Sequence, residues 1–185
     1  MLESLEKNCS PTLALGVLLH DVGKPPTFRV APDRIRFDNH VSVGTRMAQE
    51  IGRRLRFSQE QVAMVSALVE NHLRFADVHR MKESTLKRFL RLEKFDEHLE
   101  LHRLDCLSSH RNLESYDFVR SKLGAFPAEA IRPSPLVTGE DLIRMGHRPG
   151  PRFKEILQDI EDAQLEGRIS NREEALAFLQ EHFAP

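Results

Sequence analysis

The segment Pro11–Leu19 (PTLALGVLL) carries no charge and runs straight into His20 and Asp21, with Gly23-Lys24-Pro25-Pro26 close behind. Proline suits the first turn of a helix, and the unbroken apolar run predicts a helix buried on most of its faces. That helix must stop at the paired prolines, because proline lacks an N–H and restricts the residue before it. An imidazole and a carboxylate are thereby set side by side at the end of an apolar helix. Burying them is costly unless something offsets the charge. A divalent cation does so simply, since imidazole nitrogen and carboxylate oxygen ligate Mn, Fe, Ni, Zn or Co alike. Neighbouring residues point about 100° apart on a helix, so they meet one ion only where the backbone turns away. The glycine-proline turn provides that bend.

Helical periodicity dominates the rest of the chain, and the fold class expected from it is all-α. Residues 27–38 hold the one alternating stretch, Ile35 and Phe37 against Arg34 and Arg36, for which a loop or short hairpin suffices. Helices are expected over 40–55, 58–73, 83–91, 95–110 and 113–124, with Ser58 and Ser84 as N-cap candidates. The proline-rich stretch GAFPAEAIRPSPLVT marks a linker, dividing the chain into 1–126 and 127–185. Beyond it, a helix after Pro149-Gly150-Pro151 ends near Leu165. Ser170 with Glu173 reads as a capping box for the last helix.

Three later residues join the His20–Asp21 pair as candidates. His40 opens a helix, His72 ends one, and Asp105 lies four residues after Leu101 on an otherwise apolar face. Each also has a plainer reading. A single histidine on a helix is commonly a satisfied or exposed side chain, and Asp105 has Arg103 and Arg111 within reach as ion-pair partners. The argument for a site rests on the group, every member of which falls at a helix end or on an apolar face. His79, His98, His102, His110, His147 and His182 sit in charged or loop surroundings and read as surface residues.

Several function classes drop out. With 27 basic and 28 acidic residues the chain is not a whole-surface nucleic-acid binder, although a local basic patch is compatible with that balance. Arg46, Arg53, Arg54 and Arg56 form one such cluster and Lys87, Arg88 and Arg91 another; solvated helix faces commonly look the same. No apolar run approaches the ~20 residues of a membrane span, and MLESLEKNCS is not built like a signal peptide. Cys9 and Cys106 lack metal-binding spacing and read as free thiols of a cytoplasmic protein. Phosphate-binding glycine loops are absent, and Ser66, Ser108 and Ser109 have no recognisable partner base. Pro149-Gly150-Pro151-Arg152 reads first as a helix start after a turn, and second as a phosphate contact.

LLHDVGKPPTF, the F-x-x-H-x-x-x-G of Phe37 to Gly44, the V-x-N-H of Val69 to His72 and the L-H-R-L-D ending at Asp105 together resemble the HD domain. The resemblance is closest to the HD region of the bacterial tRNA nucleotidyltransferase/poly(A) polymerase family, and the tail from Pro135 resembles that family's C-terminal helical segment. It implies an HD-type helical bundle with a C-terminal helical extension. It also implies His20, Asp21 and Asp105 as metal ligands, with His40 and His72 lining a phosphate or binding a second ion. Lys24 is placed to meet a phosphate oxygen as a point charge. The implied cofactor is a divalent metal ion: Mn, Ni, Mg, Fe or Co.

Two departures shape the expectation. The HD pattern has an earlier histidine about one helix upstream, where this chain reads Met1-Leu2-Glu3, and nothing in 1–19 replaces it. No Gly-Ser with a following D-x-D precedes the HD segment, so the chain alone is not expected to add nucleotides. Three readings therefore compete. The first is a metal-dependent phosphohydrolase acting on a nucleotide or RNA-end phosphate ester. The second is a non-catalytic, tRNA-holding body and tail of a CCA-adding or poly(A)-adding enzyme. The third is a helical scaffold whose His-Asp pair is only a buried hydrogen bond.

Overall fold

The structure, a computed structural model, describes residues 1–183. Among the described residues its regular elements are ten α-helices, three 3-10 helices and one short hairpin. Ser10 caps α1 (Pro11–Leu19) by accepting the Leu13 N–H, and His20 is its C-terminal cap. The hairpin pairs β1 (Arg29–Val30) antiparallel with β2 (Ile35–Arg36). The helix α2 (His40–Arg54) follows it, entered from Asn39 in the left-handed region, where asparagine is at ease. Ser58 and Gln61 form the capping box of α3 (Gln59–Asn71), which passes into a 3-10 helix over His72–Arg80. Then come α4 (Glu83–Leu90), α5 (Phe95–Ser108), α6 (Glu114–Ala125), α7 (Ala128–Ile131), α8 (Gly139–Arg144), α9 (Pro151–Leu165) and α10 (Arg172–His182). No helix among the described residues is long and apolar enough to cross a membrane.

The chain forms two compact units: Met1–His79 with Glu93–Arg120, and Arg80–Leu92 with Ser121 onward. In the first, Leu13 and Val17 of α1 meet Met64 and Leu68 of α3 and Leu101 and Leu104 of α5. Leu19 joins Ala48, Val65 and Val69 in a second cluster, so α1 is covered on two sides, while Leu18 stays 58% exposed. Buried Thr12 donates its hydroxyl to Glu97 at 2.7 Å, tying α1 to α5.

The second unit is centred on Val137, Leu142, Ile156, Ile160, Ala163, Ile169, Ala175 and Leu179. Its α4 carries the Lys87–Arg88–Arg91 cluster, and the structure engages all three internally. Lys87 is buried, donates to the Leu165 carbonyl at 2.6 Å and pairs with Glu83; Arg88 binds Glu161 and Asp162, and Arg91 binds Glu161. A cation at the carbonyl-rich end of α9 is well placed electrostatically, and that demand takes these side chains out of the solvated face. Two cap assignments also shift. Ser84 lies inside α4 and donates to Glu166 at 2.8 Å. The last helix is capped by Asn171 on the Glu174 N–H, while Ser170 bonds the Glu174 carboxylate. Ala175 and Leu179 of that helix lie in the core.

Candidate metal and phosphate site

Four helices of the first unit deliver the side chains. His20 and Asp21 leave the end of α1, His40 opens α2, His72 follows α3, and Asp105 sits in the last turn of α5. The three imidazoles are held by one device. Each Nδ1 donates to the carbonyl three residues earlier: His20 to Val17 at 2.9 Å, His40 to Phe37 at 2.9 Å, His72 to Val69 at 2.6 Å. Carbonyls in the last turn of a helix lack intrahelical partners, so Val17 and Val69 are free to accept. A carbonyl only accepts, so the ring proton sits on Nδ1, and in the neutral ring Nε2 is left with its lone pair.

Those Nε2 atoms face carboxylates. His40 and His72 each place Nε2 3.7 Å from Asp21 Oδ1, and both nitrogens are buried without a hydrogen-bond partner among the described residues. Ligand atoms of Asp21, His40 and His72 all lie within 4.8 Å of one another. His20 Nε2 is 3.3 Å from Asp21 Oδ2 and 3.8 Å from Asp105 Oδ1, so the distant acid stands beside the doublet. Arg103 is bound by Glu100 at 2.7 Å and is not the partner of Asp105. Lys24 turns back to donate to Asp21 Oδ2 at 2.6 Å.

Lone pairs pointed at a carboxylate across a buried gap repel unless positive charge lies between them. Borderline nitrogens with hard oxygens, oriented by backbone second partners, suit a divalent cation. The donor set therefore fits the metal that the HD resemblance implies. Burial disfavours the Asp21 carboxylate, yet the hydrogen bonds and charges of His20 and Lys24 outweigh it and hold its pKa well below the ordinary range. Burial works to lower His20 too, but the Asp21 bond and the Val17 carbonyl carry it above its ordinary value. For His72 burial prevails and the pKa falls, so the ring favours its neutral, ligating form.

Gly23 decides how closely the turn after Asp21 approaches α2. A Cβ there would lie 2.0 Å from the His40 carbonyl oxygen and 2.6 Å from the Gly44 nitrogen, so only glycine lets the two segments meet. His72 and Asp105 also line a cavity of about 220 Å³, whose other walls include His79, His102, Cys106, His110, Asn112 and Glu114. Among the histidines read as surface residues, His79, His110 and His182 are exposed, but His98 and His147 are buried and His102 is half-buried. Local charge hid this, because Leu101 and Leu104 turn the face of α5 that carries His98 inward. The spacing His102–Cys106, one helical turn, was the available signal for a shared wall; Cys106 Sγ lies 3.5 Å from His102 Nε2.

Residues 40–179 match the family tRNA nucleotidyltransferase domain 2, a span that begins at His40 and leaves His20, Asp21 and Lys24 ahead of it. The chain is 33% identical over 171 residues to a CC-adding tRNA nucleotidyltransferase of Thermus thermophilus, covering 89% of this chain and 38% of that protein. It is 32% identical over 182 residues to an A-adding tRNA nucleotidyltransferase of Deinococcus radiodurans, covering 91% of this chain and 41% of that one. A 49-residue stretch is 49% identical to the A-adding enzyme of Halalkalibacterium halodurans. The chain thus spans about two fifths of the two relatives it matches along most of its own length. No solved structure matches it.

Proposed function

The chain belongs to the tRNA nucleotidyltransferase family, and from that premise we propose that it is an RNA-holding helical body and tail with a cation site built into its first unit. tRNA is the proposed partner, by analogy with relatives named for adding CC or A to it. One observation on this chain carries the reading. Arg46, Arg53, Arg54 and Arg56 are exposed along α2 and just beyond it, and among the described residues none has a carboxylate partner. Unpaired arginines on one helix are what a phosphate backbone neutralises, with counterion release supplying affinity. Fluorescence anisotropy with labelled tRNA tests this. Binding should weaken as salt rises, and the combined Arg53→Ala, Arg54→Ala, Arg56→Ala variant should bind at least tenfold more weakly with a shallower salt slope. Equal affinity of variant and parent would remove the proposal.

A second reading, metal-dependent hydrolysis of a phosphate ester, draws on the two buried Nε2 lone pairs turned toward Asp21. In it His20, Asp21 and Asp105 would hold the cation, and His40 and His72 would orient the phosphate or take a second ion. The chemistry such a cation supplies is polarisation of a phosphoryl oxygen. Lys24 would exchange its Asp21 oxygen for one on the phosphate, contributing charge without a proton. Hydrolysis of bis(p-nitrophenyl) phosphate with Mn, Ni, Mg, Fe or Co separates the readings. Turnover that disappears in Asp21→Asn and His72→Ala supports hydrolysis, and turnover indifferent to both substitutions excludes this site.

A further inference from the structure

The cavity that shares His72 and Asp105 with the cluster has a second wall, the turn between α5 and α6, and its hydrogen-bonding groups are fixed by the backbone. The Asn112 N–H donates to His110 Nδ1 at 3.0 Å. An Nδ1 that accepts leaves the proton of that ring on Nε2, so His110 offers the cavity a donor. The Asn112 Oδ1 accepts from the Glu114 N–H at 2.8 Å, which leaves the Asn112 amide hydrogens as further donors. The Glu114 carboxylate, on the same wall, has no partner among the described residues and can only accept. Between His110 and Asn112, Arg111 is held at φ 59°, a strained conformation for a side chain with a Cβ, by its N–H bond to the Cys106 carbonyl at 2.8 Å. Leu73 and Ala76 add an apolar side.

We propose that this cavity is a ribose subsite: it takes the sugar of a ribose phosphate whose phosphate lies at the His20–Asp21–His40–His72 cluster. The chemistry matches on each side. Neighbouring sugar hydroxyls both donate and accept, so they satisfy a carboxylate and a set of N–H donors at once, while the carbon face of the ring lies on Leu73 and Ala76. A phosphate or a carboxylic acid would meet the Glu114 charge unfavourably here. At about 220 Å³ the cavity is smaller than the roughly 300–1,000 Å³ that encloses a drug-sized ligand, so it suits a sugar and leaves a nucleobase outside. The inference rests on the reading that the cluster receives a phosphate ester, and it adds what that ester is built on.

Isothermal titration with manganese(II) present tests it, using inorganic phosphate, AMP and 2′,3′-dideoxy-AMP as probes on the full chain. AMP should bind at least tenfold more tightly than its dideoxy analogue. Glu114→Gln and His110→Ala, each checked for unchanged helix content by circular dichroism, should bring that ratio close to one. Equal binding of AMP and dideoxy-AMP by the parent, with phosphate bound, overturns the ribose subsite and leaves the phosphate reading intact. A ratio that persists in both variants overturns it as well. Failure of all three probes to bind removes both readings, and an AMP preference without phosphate binding removes the phosphate reading and, with it, the subsite that rests on it.

Discussion

His72 Nε2 lies 3.7 Å from Asp21 Oδ1, although one ends α3 and the other follows α1. The ring is held there by its Nδ1–H bond to Val69, so a lone pair confronts a carboxylate inside the protein. A cation resolves that repulsion, and folding stability should register its arrival. Manganese or nickel at about 100 times its Kd should add about 2.7 kcal/mol, because only the folded chain assembles the donors. Thermal unfolding with and without EDTA measures this. His72→Ala should weaken metal affinity by roughly tenfold or more, about 1.4 kcal/mol, by direct titration. An unfolding temperature indifferent to every metal would leave the cluster as a hydrogen-bonded core feature.

Gly23→Ala should be among the most damaging small substitutions in the first unit. Its Cβ would fall 2.0 Å from the His40 carbonyl, backbone against backbone, so the turn and α2 must part. The expected loss is on the order of 2–4 kcal/mol in urea unfolding, within the range of overpacking and backbone strain. Any folded remainder should also lose metal affinity, since His40 opens the displaced helix.

His98 should impose a pH dependence of its own. It is 1% exposed, neither ring nitrogen has a hydrogen-bond partner among the described residues, and burial, reinforced by the Arg74 charge, pushes its pKa down to about 4 from 6.5. The folded chain then refuses a proton that the unfolded chain accepts. Stability is full above about pH 6.5 and declines as pH falls toward 4, by about 3 kcal/mol in total. His98→Leu should remove this component. Subtracting its urea midpoints from those of the parent across pH 7 to 4 isolates it, and a flat difference would contradict the assignment.

Lys87→Met tests the second unit. The substitution keeps the apolar stem but strips the donor from the Leu165 carbonyl and the charge facing Glu83. Leaving that carbonyl unpaired should cost about 1–3 kcal/mol. A variant as stable as the parent would show that the bond at the end of α9 contributes little.

Much of the fold could be read from local chemistry. Pro11 with the prolines after Lys24 bounds α1, Ser58 with Gln61 starts α3, and helical periodicity excludes all but a hairpin over 29–36, because caps and breakers act within a few residues. The burial of Lys87, the shifted cap at Asn171 and the inward His98 were not legible, since each depends on what a distant helix presents to it.

The sequence by itself determined that an imidazole and a carboxylate would stand together at the end of an apolar helix, because proline and glycine chemistry leaves the chain no other course there. Only the tertiary structure decided that His40, His72 and Asp105 come from three further helices to meet them, and that the imidazoles turn Nε2 toward the acids. Convergence of that kind follows from which apolar faces pack, with Gly23 against His40 and Leu19 against Val65 and Val69, and no residue carries that information alone.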